Sequence, residues 1–189
     1  MARQRDRTDP PRASPAVEAE PEKRRAILHA ALKVFAERGY HGCRIADVAS
    51  QAGVAYPTPS FVVYRIAALA HGTLPAEIPL TPDFELDPAA VDEALAHRRP
   101  NLVFFALPNN PTGTLWPRAE IVRVLEGHPD TLIVADEAYV EYSGESTLDL
   151  VPRFPNLVVM RTLSKIGMAA LRVGYLVAAP TLVRELEKI

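Results

Sequence analysis

From about residue 57 onward, short apolar runs alternate with amphipathic stretches. Residues 102–107, 132–135 and 157–160 are runs of four to six mostly apolar side chains bounded by turn residues. Such runs predict buried strands, and 77–80 and 173–178 predict two more. Between them the pattern predicts helices over about 60–70, from Asp87-Pro88 to about 97, from near Pro117, and from Pro180. Asp before Pro is a start signal: the carboxylate caps free N–H groups, and proline at the first helical position loses no hydrogen bond. Apolar strands alternating with helices predict an α/β fold, a mostly parallel sheet covered on both faces.

The first 55 residues read differently. Residues 1–20 hold Pro10, Pro11 and Pro15, many charges and few large apolar side chains. Such a segment buries too little surface to offset its ordering entropy, so a disordered tail is expected. From Pro21 the spacing is helical: Ile27, Ala31, Leu32 and Phe35 share one face, and Gly39 stops the run. A second short helix is expected over 44–52, with Ile45, Val48 and Ala49 inward and Gly53 at its end. The expected division is therefore 1–20 tail, 21–55 helical segment and 56–189 α/β unit.

Charge supports that division. Residues 1–55 carry ten Lys/Arg against seven Asp/Glu, and the remaining residues carry eleven against sixteen. The net charge of −2 gives the whole chain no strong pull toward nucleic acid or membrane. The single cysteine, Cys43, excludes an internal disulfide framework and fits a reducing compartment. No apolar run approaches a membrane span and no signal-peptide pattern opens the chain, so the cytoplasm is the expected location. No metal-ligand spacing stands out.

Candidate chemistry follows the strands. Asn110, Asp136 and Lys165 each lie just past a predicted strand. In an α/β fold, side chains at strand carboxyl ends gather at one edge of the sheet, where ligands bind. A lysine, a carboxylate and an amide gathered there suggest a pyridoxal 5'-phosphate site. The lysine can form a Schiff base with an aldehyde, and the carboxylate can keep a pyridine nitrogen protonated.

Four ordered motifs sharpen this: Asn109-Asn110-Pro111-Thr112-Gly113, Asp136-Glu137-Ala138-Tyr139, Thr162-Leu163-Ser164-Lys165 and Leu171-Arg172-Val173-Gly174-Tyr175. Residues 57–189 resemble a fold-type I, class I/II aminotransferase on these motifs. The stretches 57–65 and 166–170 are most similar to the histidinol-phosphate aminotransferase branch. The resemblance implies roles. Lys165 would bond the cofactor aldehyde and shuttle protons. Asp136 would pair with the ring nitrogen, and a cationic partner is expected for so apolar a setting. Asn110 and Tyr139 would hydrogen-bond the phenolic oxygen. Thr162, Ser164 and Arg172 would hold the phosphate, and Phe61 would stack on the ring. Each also has a plainer reading: Asn110 as a turn residue, Asp136 as a helix cap, Tyr139 and Phe61 as packing, Arg172 as a structural ion pair. Trp116, Glu137 and the histidines are expected in packing or at the surface. The implied substrates are an amino acid and a 2-oxo acid or imidazole-acetol phosphate, and the implied assembly is a homodimer.

Residues 22–55 are similar to the start of a TetR-type helix-turn-helix domain, on 25–40 and on Ile45-Ala46-Asp47-Val48-Ala49-Ser50-Gln51-Ala52-Gly53-Val54. There the recognition helix would begin near Ala55-Tyr56, where Pro57 and Pro59 oppose it, so DNA binding is disfavoured. The expectation is a partial aminotransferase large domain behind a partial helix-turn-helix. The glycine-rich phosphate loop, N-terminal arm and small domain of whole enzymes would be lacking, with activity impaired or absent. A TetR-type regulator and a helix-turn-helix–aminotransferase fusion regulator stand as alternatives.

Overall fold

The computed structural model describes residues 53–70 and 75–186. The disordered tail, the two N-terminal helices and nearly all of the helix-turn-helix likeness lie outside the described residues. The elements are β1 (Val54–Thr58), α1 (Val63–Ala70), β2 (Ala76–Pro79), α2 (Pro88–Arg98), β3 (Leu102–Ala106), α3 (Arg118–Gly127), β4 (Leu132–Asp136), β5 (Leu157–Thr162), β6 (Gly174–Ala178) and α4 (Pro180–Leu186). They form one six-stranded sheet in the order β2-β1-β3-β4-β5-β6. All neighbours are parallel except β6, which runs antiparallel to β5. The predicted α/β fold with a mostly parallel sheet is the observed one.

The central strands β3 and β4 are buried along their whole length, as the unbroken apolar runs predict. Alternation across the pleat sends successive side chains to opposite faces. Val103, Phe105, Ile133, Ala135, Leu157 and Val159 pack with α2 and α3 on one face. Phe104, Ala106, Val134 and Met160 pack with Tyr64 and Ala68 of α1 and Leu182 of α4 on the other. Asp87 caps α2 by accepting a hydrogen bond from the Ala89 N–H at 2.9 Å, as the Asp-Pro signal predicts.

Two expectations need correction. The pattern predicts a helix from about residue 60, whereas α1 begins at Val63. More consequentially, Val54 and Ala55, assigned by pattern to the N-terminal helical segment, are the first residues of β1 and are buried in the sheet. The strand was hidden by Pro57, since proline removes a ladder donor. The register explains its tolerance. β1 pairs with β3 only at Val54 and Ala55, so Pro57 lies beyond the pairing on that side.

Candidate active site

The carboxyl ends of β1, β3, β4 and β5 meet at one edge of the sheet. Asp136, the last residue of β4, is 7% exposed and points to the face that carries Tyr64 and Met160. Its carboxylate bonds two neutral donors. The Tyr64 hydroxyl donates to Oδ2 at 2.6 Å, and the Ala138 N–H donates to Oδ1 at 3.1 Å. Burial pushes the Asp136 carboxyl above its ordinary value. The two hydrogen bonds and the positive charge of Lys165 pull it down, and the negative charge of Glu137 adds to the rise. Among the described residues no cation is in ion-pair contact with Asp136, and Lys165 acts on it through space.

Lys165 sits in a single 3-10 turn, Leu163–Ile166, that follows β5 directly. Thr162 starts the turn, its Oγ1 accepting from the Ser164 N–H at 3.1 Å and donating to the Val173 carbonyl at 3.2 Å. Gly167 ends it at φ +89°, a left-handed conformation that suits glycine. The Tyr142 hydroxyl fastens the turn from outside by donating to the Lys165 carbonyl at 2.6 Å. The Lys165 ammonium lies 4.9 Å from the centre of the Tyr139 ring, a cation–π distance. Asp136, Tyr139 and Lys165 are thus gathered in one place.

The remaining predicted residues divide. Ser164 Oγ is buried and has no hydrogen-bond partner among the described residues. Such an orphan is costly unless a ligand or solvent meets it. The Thr162 hydroxyl, in contrast, is engaged within the chain. Arg172 adopts φ 55° just before β6, whose Gly174 pairs with Thr162, so its backbone adjoins the same turn. Asn110 is half-buried in the loop after β3 and makes no side-chain hydrogen bond among the described residues. Its neighbour Asn109 holds the loop, with Nδ2 donating to the Pro59 carbonyl at 3.0 Å and to Thr112 Oγ1 at 2.8 Å. Ser60 Oγ donates back to Asn109 Oδ1 at 2.7 Å. Phe61, 37% exposed, stands edge-on to Tyr64 with ring centres 5.6 Å apart.

Sequence reasoning missed three residues. Tyr64 reaches Asp136 across 72 positions, and nothing local in the sequence signals it. Glu137 is 1% exposed and is no surface residue. It accepts from Arg161 Nε at 3.0 Å and Nη2 at 2.7 Å, from Ser146 Oγ at 2.8 Å, and from the Thr147 N–H at 2.6 Å and Oγ1 at 2.9 Å. A signal for the Glu137–Arg161 pair existed. Asp136 pairs with Met160 across β4 and β5, and Glu137 and Arg161 are the next residue on each chain segment. Both turn to the face opposite Asp136 because the pleat alternates.

The donor set has a definite chemical shape. A buried carboxylate without a contacting cation suits a protonated ring nitrogen. An orphaned serine hydroxyl beside a turn N-terminus and an arginine suits a phosphate. An exposed lysine between them suits an aldehyde. A phosphorylated pyridine aldehyde fits these residues.

The fold and this edge constellation define a pyridoxal-phosphate-type transferase large domain, and residues 36–189 match the family model "Aminotransferase class I and II". The chain belongs to that family. The match begins inside the stretch that resembles a helix-turn-helix. Among curated relatives, the chain is 50% identical over 131 residues to the histidinol-phosphate aminotransferase of Neisseria meningitidis serogroup B, covering 69% of this chain and 36% of that protein. It is 40% identical over 151 residues to that of Acidovorax ebreus, covering 77% and 41%. The chain thus spans about two-fifths or less of these relatives' lengths. Among solved structures, the histidinol-phosphate aminotransferase from Sinorhizobium meliloti in complex with pyridoxal-5'-phosphate superposes with a TM-score of 0.68 at 23% identity, covering 93% of this chain and 55% of that one. The enzyme from Clostridium acetobutylicum gives 0.69 at 18%, covering 92% and 54%. At these identities the superpositions speak for the fold.

Proposed function

We propose that this edge of the sheet binds pyridoxal 5'-phosphate for amino-group transfer of the histidinol-phosphate aminotransferase kind, between an amino acid and a 2-oxo acid or imidazole-acetol phosphate. The observation that carries the reading is the buried Asp136 carboxylate, without an ion pair among the described residues, with Lys165 and Tyr139 beside it. When bound, the cofactor supplies an electron-withdrawing ring for chemistry at an amino-acid α-carbon. Asp136 holds the ring nitrogen protonated. Asn110 and Tyr139 donate hydrogen bonds to the phenolic oxygen, and Phe61 covers a ring face. Ser164 and Arg172 hold the phosphate, with Thr162 shaping the turn that presents them. Lys165 anchors the aldehyde and carries the proton that moves at the substrate carbon. Its place over the Tyr139 ring keeps the amine at the site.

Transfer also needs substrate held in near-attack geometry in a closed site. The described residues supply the cofactor-holding part of such a site. A homodimer and a cytoplasmic location accompany the reading, and no described helix is long and apolar enough to cross a membrane. No observation among the described residues favours the DNA-binding alternatives: of the helix-turn-helix likeness they include only Gly53, Val54 and Ala55, the last two in β1.

The experiment is direct. Purified chain is mixed with pyridoxal phosphate, treated with borohydride, and mapped by mass spectrometry. The lysines are Lys23, Lys33, Lys165 and Lys188. A visible absorbance band and a phosphopyridoxyl mass on Lys165 are expected, and both vanish in Lys165→Ala. No band in the wild type, or equal labelling of all four lysines, would end the reading.

A further inference from the structure

We propose that the Tyr64 hydroxyl is a positioning group for the cofactor site: it fixes the rotamer of Asp136 and holds its carboxylate in the charged form that receives a protonated ring nitrogen. This rests on the cofactor reading above. The Tyr64 side chain is fully buried, stacked on Phe104 at 4.7 Å between ring centres and met edge-on by Phe61. Packing explains the ring alone, since phenylalanine would fill the same stack. The hydroxyl needs a separate reason, because a buried hydroxyl is costly unless bonded. It donates to Asp136 Oδ2 at 2.6 Å, within the range of strong bonds to a carboxylate.

The groups acting on Asp136 are few. Tyr64 reaches it from α1, the Ala138 N–H from the following loop, and the Lys165 charge from the turn after β5, while the Glu137 charge opposes them. Among these, the donors in contact are the Tyr64 hydroxyl and the Ala138 backbone. Lys165 acts on the carboxylate only through space and would be directed to the aldehyde of a bound cofactor. Tyr64 is the side chain in contact, so it is the one that orients the acid and favours its charged form before a protonated ring arrives. Phe61 lies two residues before α1 and packs edge-on against Tyr64, so the groups proposed for the ring face and for the acid are neighbours.

The test uses the full chain with Tyr64→Phe. In the cofactor-free protein, the carboxyl carbon-13 titration of Asp136, assigned with Asp136→Asn, should move up by about one to two pH units. Affinity for pyridoxal phosphate should fall by roughly ten-fold. Affinity for the analogue with carbon in place of the ring nitrogen should stay unchanged, since it offers Asp136 no N–H. Phe104→Leu disturbs the stack but keeps the hydroxyl. It should lower thermal stability and leave the Asp136 titration in place. An unmoved titration in Tyr64→Phe, or equal loss of both ligands, overturns the proposal. A wild-type chain that binds neither ligand overturns the cofactor reading instead, and the titration still decides whether Tyr64 sets the charge of Asp136.

Discussion

Two adjacent carboxylates, Asp136 and Glu137, sit at the end of one strand, are both buried, and are treated in opposite ways. Glu137 is surrounded by donors: a two-nitrogen contact from Arg161, two hydroxyls and a backbone N–H. Asp136 has one hydroxyl and one backbone N–H, with its nearest cation at a distance. The pleat sends one to each face of the sheet. A buried charge whose lone pairs are all met is a structural tie, here joining the ends of β4 and β5 to the loop at 146–147. A buried charge left short of a cation is costly by itself. Its natural use is to receive a cation that arrives later.

That contrast can be broken by mutation. The largest effect is expected from Glu137→Ala, which strands the Arg161 guanidinium and two hydroxyls. Urea unfolding should show a loss of about 3–5 kcal/mol. Asp136→Asn should act in the other direction. Relieving an uncompensated buried charge should stabilise the cofactor-free chain by about 1–2 kcal/mol while abolishing tight pyridoxal phosphate binding. Loss of stability in Asp136→Asn comparable to that in Glu137→Ala would erase the distinction drawn here.

The pH dependence sharpens the same point. Burial raises the Asp136 carboxyl above its ordinary 3.8. The folded chain therefore binds this proton more tightly than the unfolded chain. The stability it contributes is present below pH 3.8 and is lost as pH rises through the higher folded value. Wild type should weaken relative to Asp136→Asn over that rise and then run parallel to it. Parallel curves throughout would mean that Asp136 is compensated after all. The smallest effect belongs to a surface pair. Arg123, partly exposed, meets Asp92 at 2.6 Å and Glu120 at 2.9 Å, so it keeps one partner if the other is lost. Asp92→Asn should change stability by no more than about 0.5 kcal/mol.

Much of this was legible in the sequence. Unbroken apolar runs announced β3, β4 and β5, Asp87-Pro88 announced α2, and positions just past the strands marked Asp136 and Lys165 as neighbours, with Tyr139 added by the family resemblance. β1 was not legible, because Pro57 argues against a strand and only its register beyond the β3 pairing makes it harmless. The Asn109 tether was not legible either, since two adjacent asparagines look alike until their side chains are placed.

By itself the sequence determined the strand and helix succession and the edge at which the reactive side chains would collect, because hydrophobic period and turn chemistry are local properties. Only the tertiary structure decided which carboxylate is satisfied and which is waiting. That depends on Arg161 standing beside Glu137 and on Tyr64 arriving from a distant helix, and contacts between residues far apart in the chain leave no local pattern.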